Sequence, residues 1–80
     1  MTPVNINQLI KRSQRRRLPA PAERRGIRIA AGISQAELGE ALGVSRATVA
    51  RWENGSRDPS RRFAGSYADA LRRMQEDMAS

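Results

Sequence analysis

Apolar residues recur along the chain at helical spacing, and glycine, proline and asparagine divide the pattern into short pieces. The sequence contains no alternating apolar and polar run typical of a strand, and no internal repeat. We therefore predict an all-α fold, a compact bundle of about five helices. Four of them are expected near residues 21–31, 35–42, 46–54 and 60–78.

The remaining helix is predicted for roughly residues 5–17, where Ile6, Leu9 and Ile10 have helical spacing. An extra helix packed on the domain and an arm with only partial order are both compatible with this pattern. Residues 1–20 are accordingly interpreted as an N-terminal arm, and residues 21–80 as one domain.

Local signals predict where the helix near residues 21–31 begins and ends. Pro21 suits the first turn of a helix. Gly32 can take the left-handed conformation that ends one. Ile27, together with Ala30 or Ala31, is expected to face inward.

The helix predicted for residues 35–42 opens with a capping box. Ser34 would cap the first turn while Glu37 reaches back to the cap. Its buried face is expected to consist of Leu38, Ala41 and Leu42.

The last predicted helix carries one apolar stripe, which we expect to be core in its first half. Its second half is expected to be a partner surface or a frayed end. Gly65 costs about 1 kcal/mol relative to alanine inside a helix, so either another helix approaches closely there or the helix breaks. The stripe consists of Phe63, Tyr67, Ala70, Leu71, Met74 and Met78.

Residues 34–54 are the most informative stretch, because two predicted helices are joined by a three-residue turn without a spare residue. Helices joined so tightly must cross steeply. Gly43 can take a positive φ, Val44 can fill the corner with an apolar side chain, and Ser45 can cap the second helix. Gly39 has no side chain, so the second helix can approach the first closely there.

The second of these helices has two different sides. A rotation of 100° per residue places Val49 and Trp52 toward the core. The opposite side consists of Ala47, Ala50, Arg51 and Asn54 and is flanked by Arg46 and Thr48. These six residues are here called the reading face. Its small alanines would let the helix enter the major groove of DNA, where the arginines can reach guanine edges and the threonine a thymine methyl group or a phosphate.

The same stretch resembles the Cro/repressor-type helix-turn-helix family, which is also called XRE or lambda-repressor-like. The resemblance covers about residues 23–60. It is carried by Gly32-Ile33-Ser34-Gln35, Leu38, Leu42-Gly43-Val44-Ser45, Val49, Trp52-Glu53-Asn54-Gly55, Arg57 and Pro59.

The resemblance implies a sequence-specific transcription regulator or repressor of phage or bacterial type that binds double-stranded DNA. It implies that Gln35 touches phosphate from the first, bracing helix, and that Asn54 and Arg57 contact the backbone. Base contacts are implied for Arg46, Ala47 and Arg51. The residues expected to contact DNA are therefore Gln35, Ser45, Arg46, Ala47, Thr48, Arg51, Asn54 and Arg57.

The chain departs from the family pattern in two places. Gly39 stands where the family usually has alanine, which lowers helix propensity. The pattern also predicts one long helix in the last part of the chain, where many relatives have two short helices. Relatives usually bind as two-fold dimers, so a homodimer here would use the last helix or the N-terminal arm, and a monomer on single sites is the alternative.

The formal net charge of +7 is concentrated near the N-terminus. Residues 1–28 contain eight basic residues against one acidic residue, Glu23, whereas residues 29–80 are balanced. Much of the non-specific DNA affinity is therefore expected from residues 11–28. The arm is expected to lie along phosphates or in solvent, and a minor groove or an anionic membrane surface are alternatives. Its basic residues include Arg12, Arg15, Arg16 and Arg17.

The composition argues against most other classes of protein. The chain has no cysteine and no histidine, which removes the usual zinc ligands, thiol nucleophiles and the commonest general base. We expect no enzyme, no cofactor and no small-molecule substrate. Without an apolar run long enough for a membrane span or a secretory signal, a soluble cytoplasmic protein is expected. An antitoxin that represses its own operon and a recombination directionality or DNA-bending factor remain the alternative functions.

Overall fold

The computed structural model describes residues 5–9 and 17–79. Residues 6–9 form a helical turn, and four longer helices follow. They are α1 (Pro21–Ala30), α2 (Gln35–Leu42), α3 (Arg46–Asn54) and α4 (Arg61–Ala79). The described ranges contain no strand, in agreement with the all-α prediction. Most of the helix expected at residues 5–17 lies outside the described residues.

Side-chain caps fix the starts of α2 and α3. The hydroxyl of Ser34 accepts a hydrogen bond from the Glu37 amide at 3.0 Å, and the Glu37 carboxylate accepts from the Ser34 amide at 2.9 Å. The expected capping box is thereby confirmed. Ser45 likewise accepts from the Thr48 amide at 3.1 Å. One first-turn amide of each helix, that of Glu37 in α2 and that of Thr48 in α3, thus has a partner.

The turn between α2 and α3 is as tight as its sequence predicts. Gly43 ends α2 with a φ of 78°, which is in the left-handed region. A Cβ atom on Gly39 would lie 2.7 Å from the carbonyl oxygen of Val44. The close neighbour of Gly39 is therefore the backbone of the turn and not α3 itself, which corrects that part of the expectation.

The glycine within α4 does not behave as predicted. The helix runs unbroken through Gly65, and no heavy atom of another element lies within 4 Å of where its Cβ would be. Both alternatives stated for this residue, a close helix contact and a helix break, are wrong. The hydrogen bonds of the other residues in α4 are sufficient to carry the helix through one position of low propensity.

The core lies where α4 packs against α1 and against the α2–α3 pair. Trp52 is at its centre, with ring centroids 4.9 Å from Tyr67 and 6.1 Å from Phe63. The prediction that Trp52 is core is therefore confirmed. The cluster of buried core residues consists of Leu38, Val49, Trp52, Tyr67, Leu71 and Met74.

Ala41, which was expected on the buried face of α2, is exposed. Of the two alternatives at the end of α1, Ala31 is half-buried and Ala30 is exposed. The expectation that the second half of the α4 stripe lies outside the core is wrong for Leu71 and Met74, which are core residues, whereas Met78 is 54% exposed. Ala41 lies about 100° around α2 from Leu42, and the inward side of that helix passes through Leu38 and Gly39. Among the described residues, none of the helices combines the length and the apolar character needed to cross a membrane.

Candidate nucleic-acid interface

Helix α3 separates a buried side from an exposed side. Val49, Trp52 and Glu53 are buried. On the opposite side, Thr48 and Ala50 are half-buried, and the remaining residues of the reading face, Arg46, Ala47, Arg51 and Asn54, are exposed. The side chains expected to read bases thus share one solvent-facing surface, as the helical rotation requires.

The first turn of α3 holds two hydroxyl groups in fixed positions. The hydroxyls of Ser45 and Thr48 lie 2.9 Å apart and are hydrogen-bonded to each other. Since Ser45 also accepts from the Thr48 amide, the Thr48 side chain is held against the cap. This arrangement orients the Thr48 methyl group as well as its hydroxyl.

A hollow of about 440 Å³ opens beside the reading face. Arg51 lines it from α3, and Arg57 lines it from the loop that follows. The hydroxyl-bearing residues Ser45, Thr48 and Ser60 line the same hollow. Asp58 also lines the hollow, so its two arginines leave one net positive charge there. Together with the hydroxyl groups, this charge suits a phosphate group.

The loop after α3 is shaped by Asn54 and Gly55. The side-chain oxygen of Asn54 accepts from the Ser56 amide at 2.9 Å, and Gly55 has a φ of 77°. The amides of Ser56 and Arg57 both donate to the carbonyl of Arg51. These bonds fix the path of the backbone from the end of α3 to Arg57. The amide nitrogen of Asn54, a donor, is the group suited to a phosphate oxygen.

A carboxylate beneath the reading face joins three elements. Glu53 accepts from Arg28 Nε at 2.6 Å and from Arg28 Nη2 at 2.9 Å. Gln35 Nε2 donates to the same carboxylate at 3.1 Å. The other Arg28 amino group donates to the Ile33 carbonyl at 2.8 Å. Helices α1, α2 and α3 are thus tied together directly behind the surface that would meet DNA.

The environment of this carboxylate sets its protonation. Burial acts to raise the pKa of Glu53, but the hydrogen bonds from Arg28 and Gln35 and the positive charges of Arg28 and Arg25 outweigh it. The pKa of Glu53 therefore lies below its ordinary value, and the group is charged at neutral pH. The hydrogen bond to Glu53 raises the pKa of Arg28 in turn, against the effect of burial.

Arg24 is the second buried arginine of α1. Its Nε donates to the Pro19 carbonyl at 2.7 Å, and its Nη1 donates to the Trp52 carbonyl at 3.1 Å. Its guanidinium carbon lies 6.0 Å from the centroid of the Tyr67 ring. Arg24 therefore connects α1 and the segment before it to the end of α3.

The burial of Arg24 and Arg28 takes these two residues out of the set, residues 11–28, that was expected to supply much of the non-specific DNA affinity. The two arginines are 7% and 8% exposed, and their donors are used inside the protein. Both lie on the inward side of α1, because they are one turn apart and share a helix face with Ile27. Of the predicted arm, Arg17 is exposed, while Arg12, Arg15 and Arg16 lie outside the described residues.

Sequence reasoning missed the role of Glu53 and the internal use of two arginines. One signal was present: Arg24 and Arg28 share a helix face with Ile27 and Ala31, both partly buried against the core. Basic residues on the apolar face of a helix are buried only when they are paired. The partner, 25 residues away from Arg28, has no local signature.

A comparison with known protein families identifies the family of this chain. The family profile described as helix-turn-helix matches residues 25–73, more than half of the chain. The chain belongs to the Cro/repressor-type helix-turn-helix family. No curated protein and no solved structure matches it at a significant level.

Members of the helix-turn-helix family bind DNA and regulate transcription, and this is the general function of the chain. Helices α2 and α3 are its two characteristic helices. The match also reaches into α4, beyond the stretch that carried the resemblance in the sequence. The long last helix therefore belongs to the family domain for most of its length.

Proposed function

We propose that this helix-turn-helix protein is a sequence-specific repressor, similar to small Cro-like regulators, that places α3 in the major groove of double-stranded DNA. The observation that carries the proposal is the division of α3. Its buried side is fixed by Trp52 and by the Glu53 carboxylate. On the reading face, Arg46, Ala47 and Arg51 are exposed, and within the described residues neither arginine side chain makes a hydrogen bond or an ion pair. A rigid element with exposed side chains is what direct readout of bases requires.

The reading face supports base recognition by size and by charge. Ala47 and Ala50 carry only methyl groups, so the helix can lie deep in a groove about 12 Å wide. Arg46 and Arg51 are the exposed cations on either side of these alanines, and arginine makes paired hydrogen bonds to guanine. Thr48 offers a methyl group for thymine or a hydroxyl for phosphate.

Residues around the reading face would set the position of the protein on the duplex. Gln35 at the start of α2, Asn54 at the end of α3 and Arg57 in the next loop are proposed to contact phosphates, and Ser45 is proposed to contact DNA from the cap of α3. Phosphate contacts fix register and orientation without reading sequence. The basic arm, including Arg12, Arg15, Arg16 and Arg17, would add sequence-independent affinity.

The proposal places the protein in the cytoplasm of a bacterial or phage-infected cell, where its DNA is found. It requires no cofactor. A homodimer built through the last helix or the N-terminal arm would present two copies of α3 about one helical turn of DNA apart. A monomer would instead select a single site without two-fold symmetry.

The experiment that tests the proposal is a selection of bound sequences from random duplex DNA, with the mass of the protein–DNA complex measured on the selected site. We expect one defined motif. Two double variants distinguish the loss of base recognition from the loss of positive charge. R46A/R51A and R72A/R73A remove the same charge, and all four arginines are exposed, but only the first pair should abolish the selection.

Three other outcomes would overturn the proposal of a repressor that reads one operator. Enrichment of no sequence would make the protein a non-specific binder. Tandem sites with a strong bend would indicate the DNA-bending alternative. Co-purification of a small toxic partner that the protein neutralises would indicate the antitoxin alternative.

A further inference from the structure

Helix α1 carries three arginines, and the structure uses them differently. Arg24 and Arg28 point inward and donate to Pro19, Trp52, Ile33 and Glu53. Arg25, between them, is exposed. Within the described residues, no hydrogen bond or ion pair involves the Arg25 side chain. Arg25 therefore points toward solvent, whereas Arg24 and Arg28 point into the protein.

Arg25 borders two hollows on the side of the molecule that carries Gln35. The first, of about 300 Å³, is lined by Arg25, Gln35, Ala50, Glu53 and Asn54. The second, of about 540 Å³, is lined by Arg25 and Arg28 of α1, by Ser34, Gln35 and Ala36 at the start of α2, and by Arg46 of α3. Arg25 thus stands where α1 meets both helices of the helix-turn-helix.

The charge of Arg25 is close to Glu53 but is not neutralised by contact with it. The positive charge of Arg25 contributes to lowering the pKa of the Glu53 carboxyl. The carboxylate oxygens already accept two hydrogen bonds from Arg28 and one from Gln35. Arg25, Arg28 and Glu53 together carry one net positive charge, and the exposed Arg25 is the member able to present it to a partner.

We infer that Arg25 is a DNA contact supplied by α1, and that it binds a backbone phosphate of the strand that crosses Gln35. The inference rests on the proposed function. A phosphate is favoured over a base because Arg25 lies beside Gln35 and Asn54, two of the proposed backbone contacts. Phosphate oxygens accept the paired donors of a guanidinium. Arg25 would hold the duplex against α2 and so set the depth at which α3 enters the groove.

The test is the salt dependence of DNA binding by Arg25→Gln, measured on the selected site and on random duplex. Neutralising one phosphate contact should lower the slope of log affinity against log salt by about 0.9. The same relation predicts a loss of roughly five- to tenfold at about 0.1 M salt, equal on both DNAs. Arg25→Lys should keep the slope, because it keeps the charge.

Arg73→Gln is the matched control. Arg73 is an exposed arginine on α4, so its loss changes the net charge equally but should leave the slope unchanged. The unfolding free energy of Arg25→Gln should stay close to that of the wild type, since the side chain is exposed and its charge is the smallest of the influences that lower the pKa of Glu53.

Two results would overturn the inference. If Arg25→Gln keeps the wild-type slope, Arg25 does not touch phosphate. If it lowers affinity for the selected site alone, the residue reads a base. Failure of the proposed function is distinguishable, because in that case the wild type itself would not prefer the selected site over random duplex.

Discussion

Arg28 and Glu53 are joined by two hydrogen bonds of 2.6 and 2.9 Å although 25 residues separate them. The side chains are 10% and 2% exposed, so this is a buried ion pair. It fixes the end of α3 to α1, and Gln35 connects the same carboxylate to α2. The direction in which the reading face points therefore depends on one charged group that never reaches the surface.

Glu53→Gln should strongly destabilise the protein. The substitution keeps the shape of the side chain but leaves the Arg28 guanidinium buried without its counter-charge, which costs about 3–5 kcal/mol. Urea unfolding at neutral pH measures the loss. Glu40→Gln is the control, because Glu40 is exposed on α2 and its replacement should change stability by less than about 0.5 kcal/mol. Similar losses for both variants would contradict the role given to the pair.

The pH dependence of stability checks the same pair independently. The pKa of Glu53 is lower in the folded protein than its ordinary value. Its contribution is therefore fully present at neutral pH and is lost as the pH falls through the lowered pKa. Stability should fall on acidification below about pH 4.5, and the difference between the wild type and Glu53→Gln should narrow there. If the difference in unfolding free energy between the wild type and Glu53→Gln stays constant with pH, the charge of Glu53 does not contribute to stability.

Tyr67→Phe should stabilise the protein. The hydroxyl of Tyr67 is buried and has no hydrogen-bond partner among the described residues, whereas its ring packs on Trp52. Removing an unsatisfied buried hydroxyl while keeping the ring should raise the unfolding free energy by about 1 kcal/mol. Thermal or urea unfolding measures the change. A loss of stability would mean that the hydroxyl has a favourable interaction.

Burial, followed by the negative charge of Glu53, raises the pKa of Tyr67 from 10.0 to about 12. A raised pKa means that the neutral form is favoured in the folded state. This contribution is present below pH 10 and is lost as the pH rises toward 12. Tyr67 is the single tyrosine of the chain, so phenolate absorbance reports its titration directly. Tyr67→Phe should lack this alkaline loss of stability.

Gly39 and Gly65 should respond in opposite ways to alanine. Both lie inside helices, where alanine is favoured by about 1 kcal/mol. A Cβ on Gly65 meets nothing within 4 Å, so Gly65→Ala should gain most of that amount. A Cβ on Gly39 would lie 2.7 Å from the Val44 carbonyl oxygen, a backbone atom that can move only if the turn shifts, so Gly39→Ala should lower the unfolding free energy, and Gly39→Val should lower it further. Equal gains for the two alanine variants, measured by urea unfolding, would show that the turn can relax freely.

The helix-turn-helix could be predicted from the sequence because its geometry is decided by neighbouring residues. Ser34 and Ser45 cap helices whose first turns are within three residues of them, and Gly43 needs only its own positive φ. The apolar stripe of α4 was visible for the same reason. Each of these features depends on spacing along a single helix or turn.

The layer beneath the reading face could not be predicted in this way. The Arg28–Glu53 pair and the bond from Arg24 to Trp52 join residues 25 and 28 positions apart. Their pairing depends on how α1 packs against α3, which no short stretch encodes. A count of charges assigned Arg24, Arg25 and Arg28 to one basic region, whereas the structure buries two of them and exposes the third.

Arg51→Ala should lower affinity for the selected site by about 1–3 kcal/mol and relax the sequence preference, because a paired contact to a base would be lost. Binding curves on the selected site and on random duplex measure both effects. Arg73→Ala serves as the control of equal charge. Equal losses on the two DNAs would instead assign Arg51 to the backbone, together with Arg57 in the hollow that they share.

Neutralising Arg15, Arg16 and Arg17 together should weaken binding to every sequence. The slope of log affinity against log salt should fall by up to about 0.9 for each phosphate contact removed. The matched control is a triple variant of three exposed arginines of α4, R62Q/R72Q/R73Q, which removes the same charge. An unchanged slope in the arm variant would mean that the arm does not touch DNA.

The residues that hold α3 in place and the residues that face outward from it are different residues. Val49, Trp52 and Glu53 anchor the helix, whereas Arg46, Ala47 and Arg51 are exposed and contribute little to the core. The exposed side chains of α3 can therefore be exchanged without disturbing the residues on which folding depends. Under the proposed function, new target specificities would arise by exchanging a few outward side chains while the scaffold is inherited unchanged.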